Sequence, residues 1–445
     1  MKILHINTLE KSGGAARVAL RLCQAQLNLG HDSVMLVAKK ETSASYSHPI
    51  PFRQCPHQAT RDEFQMKGLL YYDIQGSHYL VDNDLLRRAD VLHLHNLHGG
   101  YFNPFTLLLL GRMKPIVWTL HDMQALTGHC AHSFGCEKWR FSCSPCPNLK
   151  TYPAIKTDSA SRLLGDKRFI YQHAGFNVVA PSRWLADKVQ CSILRDHPLS
   201  VIPNGIDTEV FKPYDRLAAR KKLGLPENGF LVGGVAHGGS LKNSWKGGEY
   251  TLAALKVFFE EVSDGYYISA GNPNKTIEYN GRIINLPAVG SEAEMALVYS
   301  AMDVYLMTSV AENCPLVLIE ALACGVPVLA FNVGGVPEIV GHGVDGLVTG
   351  YCDLVELCRA LLAVSFNRDL LKTFSINARR KALTLFDHSL VASAYENVYD
   401  AVLVSWQQSL QTFSQEMLEG VPAEILTDDF RMAEKLSRNG SVSIF

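Results

Sequence analysis

The segment Ala311–Gly325 carries two glutamates, Glu312 and Glu320, at a spacing that could bind one extended ligand. Pro315 suits the first turn of a helix and Gly325 suits its end, so a helix is predicted between them. Glu312 then lies just before the helix N-terminus, where the backbone N–H groups of residues 313–317 lack helical partners and can bind an anion. Glu320 lies further along the helix. Two carboxylates around an anion-binding centre suit a sugar nucleotide, whose hydroxyls flank a pyrophosphate; the alternative is two solvated helix carboxylates.

A glycine pair lies near the start of the chain, between the first apolar run and the first helical pattern. Gly13 and Gly14 follow Lys2–Asn7 and precede the pattern Ala15–Leu29. Their backbone N–H groups can approach an anion at a helix N-terminus, although Ser-Gly-Gly is also an ordinary turn. The motif is not Gly-x-Gly-x-x-Gly, which counts against a dinucleotide-dependent dehydrogenase.

Four of the 11 cysteines fall in one short segment, and the others are scattered. Cys130, Cys136, Cys143 and Cys146 supply four soft ligands that could hold one tetrahedral Zn²⁺ in a closed, structural site. The alternative is that they are reduced thiols packed in a loop. The scattered cysteines are expected to behave as small buried hydrophobic residues.

Short apolar runs alternate with helical patterns along most of the chain, which is typical of parallel strands covered by helices on both faces. A first series ends at Asn177–Ala180, and a second extends from Gly229–Val235 to Gly346–Val348. The turn residues Pro203, Asn204 and Gly205 separate the two series. Because ligands bind beyond the carboxyl ends of such strands, a cleft between two sheets is the expected site.

These patterns predict an α/β protein with two Rossmann-like, doubly wound domains that face a central cleft. The expected parts are an N-terminal domain at 1–198 with a cysteine-rich insertion at 129–147, a C-terminal domain at 199–386, a helix at 387–412 that packs back toward the N-terminal domain, and a tail at 413–445.

Composition excludes several classes of protein. The 445 residues include 42 Lys and Arg against 43 Asp and Glu, a net charge of −1, which removes the usual reason to expect a nucleic-acid partner. A hydrophobic fraction of 47% with 19% charged residues argues against disorder. The first residues have no long apolar leader, and no run approaches the ~20 apolar residues of a membrane span, so we expect a cytoplasmic protein.

Five basic residues follow the cysteine segment. A solvated face is the simpler interpretation, and a surface for a lipid-linked acceptor at the inner membrane, with peripheral membrane association, is the alternative. The five residues are Lys150, Lys156, Arg162, Lys167 and Arg168.

Several motifs in this order resemble the retaining glycosyltransferases of family 4, which have the GT-B fold. The carriers of the resemblance are the Glu312 to Glu320 element, the later Gly334-Gly335 pair, the loop Ser12–Arg17 and the linker Pro203–Asp207. Segments 93–101 and 118–122 and the cysteine cluster are similar to the branch that contains the colanic acid glycosyltransferase of enteric bacteria. The resemblance extends from residue 1 to about 405.

The resemblance implies a role for individual residues. It implies that His121 touches the donor sugar and that Lys246 stabilises the leaving pyrophosphate, without a metal cofactor for catalysis. His237 stands near the place where the family usually has an arginine. The implied catalytic residues are His121, Lys246 and Glu312; the implied donor-binding residues are Gly13, Gly14, His237, Lys246, Asn313, Cys314, Pro315, Leu316, Val317 and Glu320; the acceptor side has His95, His98 and Asp122.

The expected function is therefore transfer of a hexose, with retention, from a UDP- or GDP-sugar to a hydroxyl of a glycan or lipid-linked acceptor in exopolysaccharide or lipopolysaccharide biosynthesis. One alternative is another nucleotide-sugar enzyme of the same fold, an epimerase or a phosphorylase. A second alternative is a catalytically silent glycan-binding scaffold. The missing arginine favours the scaffold, whereas the presence of both Glu312 and Glu320 disfavours it.

Overall fold

The computed structural model describes residues 1–50, 57–74, 76–236, 238–241 and 243–420, with the backbone alone for residues 409–420. Two seven-stranded sheets, each covered by helices on both faces, make up most of these residues. Each sheet has its own large apolar core.

The N-terminal sheet is parallel throughout, with strand order β3-β2-β1-β4-β5-β6-β7. The order reverses between β1 and β4, which is where ligands bind in sheets of this kind. Its strands are β1 Lys2–Leu9, β2 Asp32–Lys39, β3 Ser47–Pro49, β4 Val91–Leu94, β5 Ile116–Thr119, β6 Asn177–Ala180 and β7 Leu199–Val201. The helices are α1 Gly14–Asn28, α2 Gln58–Met66, α3 Asp84–Arg88, α4 Thr106–Met113, α5 Ala160–His173 and α6 Arg183–Gln190.

The C-terminal sheet has the order β10-β11-β9-β8-β12-β13-β14, and only β10 is antiparallel to its neighbour. Its strands are β8 Phe230–Val235, β9 Gly265–Asn272, β10 Thr276–Glu278, β11 Ile283–Pro287, β12 Val304–Met307, β13 Val328–Phe331 and β14 Gly346–Thr349. The helices are α7 Arg216–Leu223, α8 Gly248–Glu261, α9 Glu292–Ser300, α10 Leu316–Ala323, α11 Val336–Ile339, α12 Leu354–Phe366, α13 Arg368–Lys381 and α14 His388–Gly420.

The strand β7 lies on the other side of the predicted domain boundary. It pairs with β6 through Val178 and Leu199, so the N-terminal sheet extends to Val201 rather than ending at 198. Its three residues are only partly buried or exposed, and they therefore lack the apolar run by which the longer strands are identified.

Helix α14 returns to the N-terminal domain after the C-terminal sheet is complete. Its buried face, which includes Val391, Tyr395 and Tyr399, packs against the α1 side of the first sheet. The helix continues to Gly420, beyond the predicted end at 412. Within the described residues, no helix combines the length and apolar character that crossing a bilayer requires.

The chain passes between the domains twice, and the two crossings lie side by side. Ile206 in the first crossing forms a parallel β-bridge with Asp387 in the second. The backbone N–H of Ile206 donates to the carbonyl of Phe386 at 2.8 Å, and the N–H of His388 donates to the carbonyl of Ile206 at 2.8 Å.

Candidate active site

A cleft of about 560 Å³ lies between the two sheets, at the carboxyl ends of their central strands. Both domains line it. Most of the residues implied by the motifs meet there: Gly13, Gly14, His98, His121, Asp122, Lys246, Glu312 and Asn313. His237 lies outside the described residues.

The cleft wall in the C-terminal domain carries an ion pair between Lys246 and Glu312. The Nζ atom of Lys246 donates to Oε1 of Glu312 at 2.6 Å, and the Glu312 side chain is only 10% exposed. The backbone next to Lys246 packs closely against Thr308, because a Cβ on Gly247 would lie 1.8 Å from the carbonyl oxygen of Thr308. Each charge therefore has a partner that a phosphate or a sugar hydroxyl could replace.

The position of the loop that carries Glu312 depends on its close packing against Gly334. Gly334 has a φ of 56°, and a Cβ there would lie 1.9 Å from the carbonyl oxygen of Glu312. Any larger residue would push this loop away from the position in which Glu312 reaches Lys246. This close approach gives a physical reason for the Gly-Gly pair in the motif.

Helix α10 begins one residue later than its proline. Pro315 stands at the cap position with an extended ψ of 115°, and it has no N–H to offer a ligand, so the expected set of backbone donors loses one member. Leu316 and Val317 supply the N–H groups of the first turn. Val317 lines a small cavity beside Lys246, together with Ser309, whose buried hydroxyl has no hydrogen-bond partner among the described residues.

Asn313 and Cys314 connect the domains in the structure. The side chain of Asn313 accepts a hydrogen bond from Ser182 at 2.6 Å and donates to the carbonyl of His121 at 3.1 Å. The carbonyl of Cys314 accepts from Asn204 at 2.8 Å, and burial raises the pKa of its thiol to about 12. Both residues therefore help to set the distance across the cleft.

Glu320 is separated from the cleft. Its side chain is 1% exposed, and Oε1 accepts from Arg21 of α1 at 2.8 Å while Oε2 accepts from the Tyr299 hydroxyl at 2.8 Å. Arg21 also pairs with Glu292. The structure thus places the second glutamate of the motif in an ion pair between domains, with both oxygens occupied, rather than beside Glu312.

The N-terminal wall contains the histidines. Nε2 of His98 lies 2.7 Å from Oδ2 of Asp122. Burial raises the pKa of Asp122, but His98, the N–H of Gln124 and the nearby His121 together leave the pKa below its usual value. Burial lowers the pKa of His121 to about 4. His95 lies beneath the surface, with Nδ1 3.0 Å from Nε2 of His121, so it supports the site without lining it.

Aromatic side chains outside the predicted motifs also line the cleft, namely His132, Trp184 and Trp245. The ring of His132 stacks on Trp184 with centroids 5.6 Å apart. Phe134, from the cysteine-rich insertion, packs edge-on against Trp245 of the other domain at 5.0 Å. Flat aromatic walls of this kind suit sugar rings, and the only sequence signal for them was that His132 and Phe134 lie between the cysteines.

The four clustered cysteines line a separate cavity of about 300 Å³ beside the cleft. The set of donors fits zinc, but no three of these sulfur atoms lie within 4.8 Å of one another. Zn–S bonds of about 2.3 Å require sulfurs about 3.8 Å apart. The arrangement is therefore wider than a loaded zinc site.

One member of the basic cluster is not on the surface. Lys167 is 6% exposed, and its Nζ donates to the carbonyls of Gln124 and Thr127. This lysine supports the backbone behind the cleft, so it is unable to contribute to a surface for anionic lipids.

Comparisons with known proteins agree with this architecture. Residues 12–210 match the model of Glycosyltransferase Family 4, and residues 234–366 match that of Glycosyl transferases group 1. The "Putative colanic acid biosynthesis glycosyl transferase WcaC" of Escherichia coli K12 is 28% identical over 399 residues, which cover 85% of this chain and 95% of that protein.

Solved structures confirm the fold. Sucrose-phosphate synthase of Thermosynechococcus elongatus has a TM-score of 0.65 at 17% sequence identity. The match covers 91% of this chain and 100% of the synthase chain. The HepE protein of Anabaena, solved in complex with UDP-glucose, has a TM-score of 0.61 at 17% sequence identity. The match covers 90% of this chain and 100% of the HepE chain. The two-domain arrangement with a central cleft is the GT-B fold.

Proposed function

Because this chain is a member of the GT-B glycosyltransferases, with a family 4 domain followed by a group 1 domain, we propose that it transfers a hexose from a UDP- or GDP-sugar to a hydroxyl of a glycan or lipid-linked acceptor. The observation that carries the proposal is the Lys246–Glu312 pair, which faces Gly13 and Gly14 across the cleft. A cation, a carboxylate and a glycine loop at one place suit a donor that has both phosphates and hydroxyls.

The leaving group determines what the site must stabilise. A departing nucleoside diphosphate accumulates negative charge as the glycosidic bond breaks. Lys246 and the first N–H groups of α10 supply a positive field at the same place. When the pyrophosphate takes over Lys246, the carboxylate of Glu312 becomes free to accept hydrogen bonds from sugar hydroxyls.

The N-terminal wall favours transfer without a protein nucleophile. Its carboxylate in the cleft, Asp122, is held by His98 at 2.7 Å and by the N–H of Gln124 at 2.8 Å. A carboxylate held in this way is poorly placed to attack an anomeric carbon. In our proposal the acceptor hydroxyl enters on the face of the leaving group, and the configuration is retained.

Two relatives support the substrate classes. The HepE structure contains UDP-glucose, and the Escherichia coli relative is named for colanic acid biosynthesis. We therefore place the acceptor in exopolysaccharide or lipopolysaccharide assembly, with its sugar rings against the aromatic wall formed by His132, Trp184 and Trp245.

A panel of nucleotide sugars identifies the donor, because a ligand that binds only the folded protein raises its melting temperature. The donor identified in this way is then used to measure the release of nucleoside diphosphate that accompanies glycosyl transfer.

We expect Lys246→Ala and Glu312→Gln to reduce turnover by about 100-fold or more. The matched controls are Lys256→Ala and Glu260→Gln, at exposed positions on α8. Unchanged turnover in Lys246→Ala, or isomerisation of the sugar without release of diphosphate, would contradict the proposal.

A further inference from the structure

Four histidines form a contiguous cluster that begins inside the N-terminal sheet and ends at the cleft. His5 of β1 is in register with His93 of β4, and His95 and His121 follow β4 and β5. Neighbouring ring centroids are 4.3–5.3 Å apart. The first three side chains are at most 1% exposed, whereas His121 lines the cleft.

Three of these histidines are joined to Gln26 of α1 in one chain of hydrogen bonds. Oε1 of Gln26 lies 2.8 Å from Nε2 of His5, and Nδ1 of His5 lies 2.9 Å from Nε2 of His95. Nδ1 of His95 in turn lies 3.0 Å from Nε2 of His121. Nδ1 of His121 has no partner among the described residues.

The rings in this chain are neutral. Burial lowers the pKa of His5 and His121 to about 4, and it lowers that of His95 well below the usual value. A neutral imidazole has one N–H and one bare nitrogen. A hydrogen bond between two rings needs one of each, so the state of one ring determines the state of the next.

Gln26 determines the direction of the chain. Its Oε1 atom accepts from Ser33 at 2.9 Å, and its Nε2 atom donates to the Tyr399 hydroxyl at 2.8 Å. With Oε1 facing His5, Nε2 of His5 must carry the proton. The same logic then places a proton on Nε2 of His95 and on Nε2 of His121.

We infer that Gln26, His5 and His95 are positioning residues that hold His121 as the Nε2–H tautomer, with a bare Nδ1 as hydrogen-bond acceptor toward the cleft. This inference deepens the proposed function, because the partner of that nitrogen is a sugar hydroxyl. An unprotonated ring nitrogen accepts a hydrogen bond from a hydroxyl, but it has no hydrogen to donate to a phosphate oxygen. The histidine therefore selects the sugar end of the donor and leaves the pyrophosphate to Lys246.

A metal ion is the other ligand to consider for this cluster, since ligand atoms of His5, His93 and His95 lie within 4.8 Å of one another. Every ring nitrogen of these three residues already has a hydrogen-bond partner; those of His93 are the Tyr399 and Thr119 hydroxyls. The rings are inclined by only 21–33° to one another. A metal ion would have to displace several of these hydrogen bonds, so the hydrogen-bond chain is the better interpretation.

Nitrogen NMR of the full chain with ¹⁵N-labelled histidine tests the inference directly, since protonated and bare ring nitrogens have different shifts. His121→Gln identifies the signals of His121. We expect its Nδ1 to be bare and its Nε2 protonated, unchanged between about pH 8 and 6. A protonated Nδ1, or an imidazolium at neutral pH, would overturn the inference. The spectrum needs no donor sugar, so its outcome is independent of whether the proposed function is right.

Variants at Gln26 test which residue sets the direction. Gln26→Leu removes the acceptor, and we expect His121 to become a mixture of tautomers. Gln26→Glu keeps an acceptor oxygen and should keep the single tautomer. The control is Thr119→Val, which removes a partner of His93 but none of the chain. A single, unchanged tautomer of His121 in Gln26→Leu would exclude the role of Gln26. If that variant fails to fold, the spectrum of the unaltered protein still tests whether His121 is the Nε2–H tautomer.

Discussion

The two glutamates of one motif have different surroundings in the structure. Glu312 borders the cleft and pairs with a partly exposed lysine, whereas Glu320 is 1% exposed and pairs with Arg21, which is 3% exposed. A buried pair contributes little as a pair, but removing one member leaves an uncompensated charge in the protein interior. Substitution of the two glutamates should therefore have different consequences.

We expect Glu320→Gln to lower the free energy of unfolding by about 2–4 kcal/mol, because one of the carboxylates that balance buried Arg21 is lost. Urea denaturation measures this change. Glu292→Gln is the matched control, because its side chain is 41% exposed and its pair with Arg21 is screened; we expect a loss of at most about 1 kcal/mol. Equal losses in the two variants would contradict the assignment of Glu320 to the buried ion pair.

The buried histidines make stability depend on pH. The pKa of His5 is about 4 in the folded protein, below the value of about 6.5 expected in the unfolded chain, so the unfolded chain binds more protons between these values. The stabilisation is complete above about pH 6.5 and is lost as the pH falls toward 4. We expect the free energy of unfolding to fall by about 1–3 kcal/mol per buried histidine across this window.

Urea midpoints at several pH values measure this dependence. His5→Gln removes one titrating ring, so its curve should be flatter than that of the unaltered protein. His57→Gln, at an exposed position, is the matched control. A stability that rises on acidification would show that these rings are protonated in the folded state.

At the scale of elements, much of the architecture could be predicted from the sequence. The long strands have apolar runs, and Gly325 with its φ of 68° ends α10 as expected. The three-residue strands β3, β7 and β10 give no such signal, and all three residues of β10 are exposed. Periodicity detects elements that bury a face, so strands without one are missed.

Only part of the candidate site could be predicted from the sequence, because many of its contacts join distant segments of the chain. Motif residues such as Lys246 and Glu312 meet in the cleft, but their neighbours come from distant segments. The partner of Glu320 is Arg21, 299 residues away, and α1 contains no feature that marks this arginine. Long-range partners of this kind depend on how the two domains are placed, which local patterns do not specify.

The cysteine-rich insertion gives a prediction at the scale of an element. We expect purified protein to contain about one zinc per chain, with the four sulfurs drawn closer together than they are in this structure. Burial raises the pKa of Cys143 to about 11, so metal uptake must release a thiol proton and should weaken at low pH.

Elemental analysis measures this content directly. Cys143→Ser should reduce it, and Cys191→Ser, a change at an exposed and scattered cysteine, should not. Less than about half an equivalent in the unaltered protein would rule out a structural zinc.

At the scale of the whole molecule, polar contacts hold the two domains together around the cleft. Glu338 of the C-terminal domain accepts hydrogen bonds from the N–H groups of Arg183 and Trp184, at the N-terminus of α6 in the other domain. Asn313 makes a second set with Ser182 and His121. The cleft therefore has a preferred width before any ligand binds.

We expect Glu338→Ala to shift the molecule toward more open forms, because it removes two charge-assisted hydrogen bonds between the domains. Small-angle X-ray scattering should show a larger radius of gyration. The control is Glu356→Ala, since Glu356 lies in the first turn of α12 and its side chain accepts a hydrogen bond from the N–H of Gly350 within one domain. A radius of gyration that is unchanged in Glu338→Ala would show that the width of the cleft does not depend on this contact.

The paired crossings at Ile206 and Asp387 restrict how the domains can move. One connecting strand allows its two ends to swivel freely, whereas two strands joined by backbone hydrogen bonds resist twisting and allow bending about one axis. Any opening or closing of the cleft is then expected to be a rotation about that one axis. Closure by such a rotation is expected to bring Gly13 and Glu312 to the same facing positions each time, so a segment that does not line the cleft would determine the geometry of the site.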